Sequence, residues 1–144
     1  YMNSTLAKVD AVENGYDDAI MLGDNDVVAE GSGQNLFLIK NGKIYTPPIE
    51  TGALGGITRK TVIEIANNLG LETEETNINA DQLKDADELF FTGTATEVVG
   101  VVSVDGEDIT DGKPGEITGN IRQKYLEIVN GENEDFLHYL TLVK

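Results

Sequence analysis

The sequence predicts an α/β domain: a mixed, strongly curved, nearly closed β-sheet (a pseudo-barrel) with helices on its outside. Three observations carry this. Short apolar runs with strand character alternate with longer amphipathic stretches, as expected when helices cover a sheet. Some neighbouring runs are joined by turns too short for a crossover, above all Asn41-Gly42, so part of the sheet is antiparallel. The 144 residues suffice for one domain with a substantial core.

Taken in order, Asn3-Ser4-Thr5 can cap a helix that carries Leu6, Val9, Ala11 and Val12 and stops at Gly15. Residues 19–22 form a strand, 23–26 a polar turn, and 27–31 the return strand. Residues 36–40 and 43–45 flank Asn41-Gly42 as a hairpin, which Pro47-Pro48 ends. Residues 49–56 form a loop of small residues. Residues 57–69 form an amphipathic helix with Ile57, Val62, Ile65, Ala66 and Leu69 on one face and Gly70 as its stop. A polar, exposed strand is expected over 71–78 and a short helix over 79–84, capped by Asn79. Residues 88–91 and 98–104 are strands, the second apolar enough for burial on both faces. After a turn at Asp105-Gly106, residues 117–129 form the last long helix, with Ile117, Ile121, Leu126, Ile128 and Val129 partly periodic. The tail, 131–144, is acidic and then apolar, and reads either as a docking helix or as a half-disordered segment.

Composition narrows the chemistry. There is no cysteine, which excludes disulfides, thiolate zinc sites and cysteine nucleophiles and favours a reducing cytoplasm. The single histidine, His138, argues against a histidine-based metal site or a Ser-His dyad. A net charge of −16 repels nucleic acid and anionic membranes, and fits either a salt-tolerant host or simple solubility. No apolar run approaches the roughly 18 residues of a membrane span. Asp85, Asp87 and Glu88 crowd together, but their spacing fits no metal loop, and a solvated turn is the expectation. The chain opens on Tyr1 rather than Met, as expected of a piece of a longer protein.

Four stretches carry candidate chemistry. Glu30 sits between apolar runs with Gly31 and Gly33 close after it; alone this is a hairpin with a solvated carboxylate. Leu54-Gly55-Gly56-Ile57-Thr58-Arg59 is a glycine loop leading into a helix, where unpaired N–H groups attract phosphate; alone it is an ordinary flexible loop. Thr92-Gly93-Thr94-Ala95-Thr96-Glu97 follows an apolar strand and offers hydroxyl and backbone donors to an anion, or is a tight turn of small residues. Tyr1-Met2-Asn3-Ser4 places a phenol and a hydroxyl at the start of the chain, where a terminal Tyr is ordinarily packed or frayed.

These stretches occur in one order. Tyr-Met-Asn-Ser with Ala-Lys over 1–8, Glu-Gly-Ser-Gly-Gln-Asn-Leu-Phe at 30–37, Asn-Gly with Tyr-Thr-Pro-Pro over 41–48, Gly-Ile-Thr-Arg at 56–59 and Phe-Phe-Thr-Gly-Thr-Ala at 90–95 together resemble the large C-terminal domain of the fold-type IV pyridoxal-phosphate aminotransferases. Within that group the chain is most similar to the branched-chain amino acid aminotransferases, with D-amino acid aminotransferase and aminodeoxychorismate lyase as alternatives of the same fold type, and a non-catalytic proteolytic remnant as another. The resemblance covers residue 1 to about residue 131.

The resemblance implies a cofactor, pyridoxal 5'-phosphate, and a role for each matching residue. Glu30 faces the pyridine nitrogen, where a carboxylate keeps the ring protonated and electron-withdrawing. Gly56, Ile57 and Thr58 belong to the cofactor-binding loop, the last two with Thr94 at the phosphate. Leu54 packs on the ring. Tyr1 hydrogen-bonds the phenolate oxygen. The amides of Thr94 and Ala95 receive the substrate carboxylate. The Schiff-base lysine lies a few residues before the position matching Tyr1, so no catalytic residue is expected in this chain, and neither Lys8 nor Lys60 matches it. The small N-terminal domain, which supplies an arginine to the phosphate, is likewise expected outside the chain. The piece alone should be inactive. Gly100 stands where many branched-chain members have Pro. The implied substrates are leucine, isoleucine or valine with 2-oxoglutarate, in a cytoplasmic homo-oligomer that uses neither nucleic acid nor membrane.

Overall fold

A computed structural model describes residues 1–141 and 143. Its centre is a mixed five-stranded sheet in the order β5-β4-β3-β6-β7. The strands are β3 (Asn35–Lys40), β4 (Lys43–Thr46), β5 (Thr73–Glu75), β6 (Glu88–Gly93) and β7 (Glu97–Val101). Within it only β4 and β5 run parallel. Asn41 and Gly42 take φ of 52° and 75°, the left-handed pair that a two-residue turn between β3 and β4 demands. Two further ladders stand apart: β1 (Ile20–Leu22) with β2 (Val28–Gly31), and β8 (Ser103–Val104) with β9 (Glu107–Asp108). The mixed sheet and outer helices follow the expectation. The three ladders remain separate sheets and do not close, their backbones joined only by single bonds such as Gly31 N–H to the Gln34 carbonyl.

Strand alternation divides the core in two. Phe37, Ile39 and Phe90 project to the side covered by α2 (Ile57–Asn68) and α4 (Glu116–Val129), where they meet Val62, Ile65, Ile121 and Ile128. The rings of Phe37 and Phe90 stack at 4.9 Å. Leu36, Leu38, Leu89 and Phe91 project to the other side, against Val28, Ile78, Leu83 and Ile109. Leu83 comes from the short helix α3 (Ala80–Lys84), closed by a capping box between Asn79 and Gln82.

Several expectations change. Helix α1 (Met2–Glu13) starts at Tyr1 as N-cap without a side-chain cap bond, so Asn3-Ser4-Thr5 lies inside the helix. Leu6, Val9 and Val12 are exposed there, and only Ala11 is buried. Ile57 is 76% exposed and Leu69 is partly exposed; Thr58, Arg59 and Thr61 join Val62, Ile65 and Ala66 on the buried face of α2. The strand expected over 71–78 shrinks to β5, and Ile78 beyond it is buried, its carbonyl accepting from the Val28 N–H at 2.8 Å. The run expected over 98–104 breaks into β7 and β8, and β7 is a sheet edge with Val98 inside and Val99 outside. The 49–56 loop holds a 3-10 turn at Ile49–Thr51. In the tail a 3-10 helix, Glu134–Tyr139, docks Phe136 into the core, whereas Leu142 and Lys144 lie outside the described residues.

The carboxylates near residue 87 hold turns and helix ends. Asp87 accepts from the Asn41 N–H at 2.6 Å and from Lys40 Nζ at 3.0 Å. Glu88 accepts from the amides of Ile117 and Thr118 at 3.0 and 2.8 Å and from the Thr118 hydroxyl at 2.6 Å, which closes the start of α4. Among the described residues no group of His, Cys, Asp or Glu could hold a metal ion, and no helix is long and apolar enough to cross a membrane.

Candidate functional site

The site forms where β2 turns into β3. Gly31 donates to the Gln34 carbonyl at 2.7 Å, which folds residues 31–34 into a tight turn. A Cβ on Gly31 would stand 2.8 Å from Gln34 Oε1 and 2.9 Å from the Phe91 ring, so only glycine fits. This turn directs Glu30 toward the loop before α2. Glu30 Oε2 accepts from the Leu54 N–H at 2.8 Å and lies 3.5 Å from Asn35 Nδ2. Asn35 Nδ2 donates to the Leu54 carbonyl at 2.7 Å. Two side chains thus hold both ends of residue 54's backbone. Leu54's own side chain is left 70% exposed, an apolar cover beside the carboxylate.

The start of α2 joins the same cluster. Gly56 is its N-cap, and no side chain caps the helix. The first amides therefore point outward without intrahelical partners and carry partial positive charge. A Cβ on Gly56 would stand 2.2 Å from Asn35 Oδ1, so Asn35 packs directly on this backbone. Arg59, almost wholly buried, fixes the first turn of α2 from behind by donating to the Pro47 carbonyl at 3.0 Å and to Glu75 at 2.6 Å.

The third stretch arrives through the sheet. Asn35 pairs with Thr92 across β3 and β6, and Gly93 pairs with Glu97 to open the turn of Thr94, Ala95 and Thr96. A Cβ on Gly93 would lie 3.5 Å from the Gly33 carbonyl, so this turn sits beside the 31–34 turn. Glu97 takes φ of 58°, the left-handed residue that commonly closes a three-residue hairpin loop. Thr94 and Ala95 are exposed at its tip. Thr92 is fully buried, and its hydroxyl has no partner among the described residues.

Of the four stretches singled out in the sequence, Glu30 and the Leu54–Thr58 loop are joined by hydrogen bonds, and the Thr94–Ala95 turn lies beside the 31–34 turn that follows Glu30. Tyr1 is not joined to them by a hydrogen bond. Its side chain is 99% exposed at the tip of α1. That helix is tied to the 31–34 turn through Lys8, which bonds the Asp17 carbonyl and, at 3.0 Å, the Asp18 carboxylate. Asp18 also accepts from Ser32, from Gln34 Nε2 at 2.8 Å and from the Ala19 N–H at 2.8 Å. Burial pushes the Asp18 carboxyl up, but the bonds from Ser32, Gln34, Ala19 and Lys8 outweigh it and hold it below the usual carboxylate value. With its ammonium engaged in this way, Lys8 is a structural tie.

Two residues escaped the sequence reading. Asn35 was visible only as one letter of a motif, although a polar residue opening the apolar run Leu36–Ile39 is a signal of a bonded interior amide. Asp18 gave no signal, since its side-chain partners lie 10 to 16 positions away.

A carboxylate, an exposed apolar side chain and an uncapped helix start thus lie side by side, and together they offer partners to a cationic group and to an anion. Residues 1–104 match the family model for amino-transferase class IV, and the chain belongs to that family. It is 44% identical to the branched-chain-amino-acid aminotransferase of Pseudomonas aeruginosa, over 100% of this chain and 47% of that protein. It is 45% identical to a probable branched-chain-amino-acid aminotransferase of Aquifex aeolicus, over 99% of this chain and 46% of the relative. Among solved structures, it matches a branched-chain amino acid aminotransferase complexed with N-(5'-phosphopyridoxyl)-L-glutamate at a TM-score of 0.97 and 44% identity, covering 100% of this chain and 48% of that one. The Escherichia coli branched-chain amino acid aminotransferase matches at a TM-score of 0.96 and 40% identity, covering 100% and 47%. The chain spans about half the length of the curated relatives it matches.

Proposed function

We propose that this chain is the cofactor-binding half of a pyridoxal-phosphate aminotransferase that moves an amino group between a branched-chain amino acid and 2-oxoglutarate. The names of the similar proteins support the substrate class, and the phosphopyridoxyl and pyridoxamine phosphate complexes among the similar structures support the cofactor. The observation that carries the reading is the bond from the Leu54 N–H to Glu30 at 2.8 Å, which sets a carboxylate beside the uncapped start of α2. The residues fit the cofactor: Gly56 leaves no room for a Cβ, and the first α2 amides lack partners.

The cofactor, when bound, supplies a carbonyl that takes up the amino group and a ring that withdraws electrons. In this reading Glu30 holds a proton on the ring nitrogen. The Ile57 and Thr58 amides, with Thr94, hold the phosphate. Leu54 covers one ring face. The Thr94 and Ala95 amides orient the substrate carboxylate, and Tyr1 reaches the phenolate oxygen. The Schiff-base lysine and the small domain belong to the rest of a protein of the relatives' length, and the exposed apolar side of α1, with Leu6, Val9 and Val12, is available for packing against another part of that protein or a second copy.

The test is transamination of leucine with 2-oxoglutarate by the longer protein that carries this chain. Glu30→Gln should lower kcat/KM at least a hundredfold while leaving the circular dichroism spectrum unchanged, and the 144-residue chain alone should show no turnover. A Glu30→Gln enzyme of full activity would overturn the reading.

A further inference from the structure

Glu30 and the start of α2 must keep a constant separation if one rigid ligand is to engage both at once. They lie on separate segments joined by two side chains: Glu30 itself accepts from the Leu54 N–H at 2.8 Å, and Asn35 reaches past Leu54 to the Gly56 backbone that starts α2. The Asn35 amide is 5% exposed and touches three things: the Leu54 carbonyl at 2.7 Å, Glu30 Oε2 at 3.5 Å and the backbone of Gly56, where an added Cβ would stand 2.2 Å from its oxygen. Its own backbone is anchored in the central ladder opposite Thr92. We propose that Asn35 is a positioning residue that fixes the distance between the Glu30 carboxylate and the phosphate-binding start of α2, so that the cofactor's ring nitrogen and its phosphate are held together. The proposal rests on the reading of Glu30 and α2 given above.

The chemistry of the slot explains the residue type. It needs a donor toward the Leu54 carbonyl and a neutral edge against Gly56. Aspartate would turn a negative oxygen toward that carbonyl and toward Glu30. Leucine would remove that donor and leave the carbonyl only the Gly56 N–H, at 2.8 Å. Glutamine is one methylene too long for a slot that already lacks room for the Cβ of an alanine at position 56. Glu30 Oε2 is held by the Leu54 N–H at 2.8 Å and flanked by the Asn35 amide at 3.5 Å, whereas Oε1 has no partner among the described residues, so the Asn35 amide and the Leu54 amide together leave Oε1 as the outward oxygen.

The test uses the longer protein carrying this chain, loaded with pyridoxal phosphate labelled with 15N in the ring. The ring-nitrogen NMR signal is followed against pH, and the cofactor Kd is measured alongside. Asn35→Ala should lower the titration midpoint of the ring nitrogen by at least one unit, a tenfold loss of proton affinity, and raise Kd at least tenfold. A Kd that rises with an unchanged midpoint means general loosening and overturns the proposal. Glu30→Gln serves as control. If Glu30→Gln lowers the midpoint and Asn35→Ala does not, the role of Asn35 is wrong and the reading of Glu30 stands. If neither moves it, the reading fails and the proposal with it. Gly56→Ala displaces Asn35 without removing it; it should shift the midpoint the same way, and it is read instead where Asn35→Ala does not fold.

Discussion

Replacing Gly56 with alanine should destabilise the chain through one contact. Gly56 has φ of −63° and ψ of 144°, open to any L-residue, so the backbone itself carries no strain. On that ground alone alanine would stabilise by about 0.4–1 kcal/mol. The new Cβ, however, would stand 2.2 Å from Asn35 Oδ1 and 3.4 Å from its Cγ. An ordinary contact requires the amide to retreat by about 1 Å. A retreat of that size along its 2.7 Å bond to the Leu54 carbonyl carries the amide past hydrogen-bonding range. Leaving a buried amide unpaired costs about 1–3 kcal/mol, so the net loss should be about 1–2 kcal/mol. The assay is a double-mutant cycle in urea with Asn35→Ala. With the amide gone, Gly56→Ala should become neutral or mildly stabilising, a coupling of about 1–3 kcal/mol. Equal cost in both backgrounds would show that the contact is not the cause and refute the reasoning.

Further outcomes follow from other contacts. Thr92→Val replaces a buried hydroxyl that has no partner with a methyl, and should raise the urea midpoint by the equivalent of about 1 kcal/mol. Glu88→Ala removes three bonds at the start of α4 and should cost about 1–3 kcal/mol in the same assay, with weaker protection of the Ile117 and Thr118 amides from hydrogen exchange. Asp18 titrates below its ordinary 3.8 in the folded chain, so its contribution is complete above that pH and is lost as pH falls through the lower folded value. The stability gap between the wild-type chain and Asp18→Asn should therefore stay constant from pH 7 to about pH 5 and close as pH drops below 3.8; a constant gap down to pH 2 refutes this.

The parts of the fold legible in the sequence were those fixed by local rules. Asn41-Gly42 could only be a tight hairpin turn, Gly15 and Gly70 ended helices with φ of 86° and 73°, and the Asn79 cap needed only its own neighbours. What stayed hidden depended on covering partners. The pattern over 57–69 reports which residues are apolar, but Ile57 sits at the open start of α2 where no strand covers it. Residues 98–104 read as a doubly buried strand because Val and Gly are as apolar on an edge as in a centre. The candidate site was legible through motif order, which named Glu30, the Leu54–Thr58 loop and the Thr94–Ala95 turn. The tie through Asp18 and the span through Asn35 were not, since each joins segments that meet only after folding.

The Phe37–Phe90 stack lies two positions along β3 and β6 from Asn35 and Thr92, so the most deeply packed ladder ends at the candidate site. A ligand seated there would engage residues anchored in the central β3–β6 ladder. Whatever binds at the mouth of this ladder should raise the free energy of global opening rather than quiet a surface loop, and its effect should be read in the slowest-exchanging amides of β3 and β6.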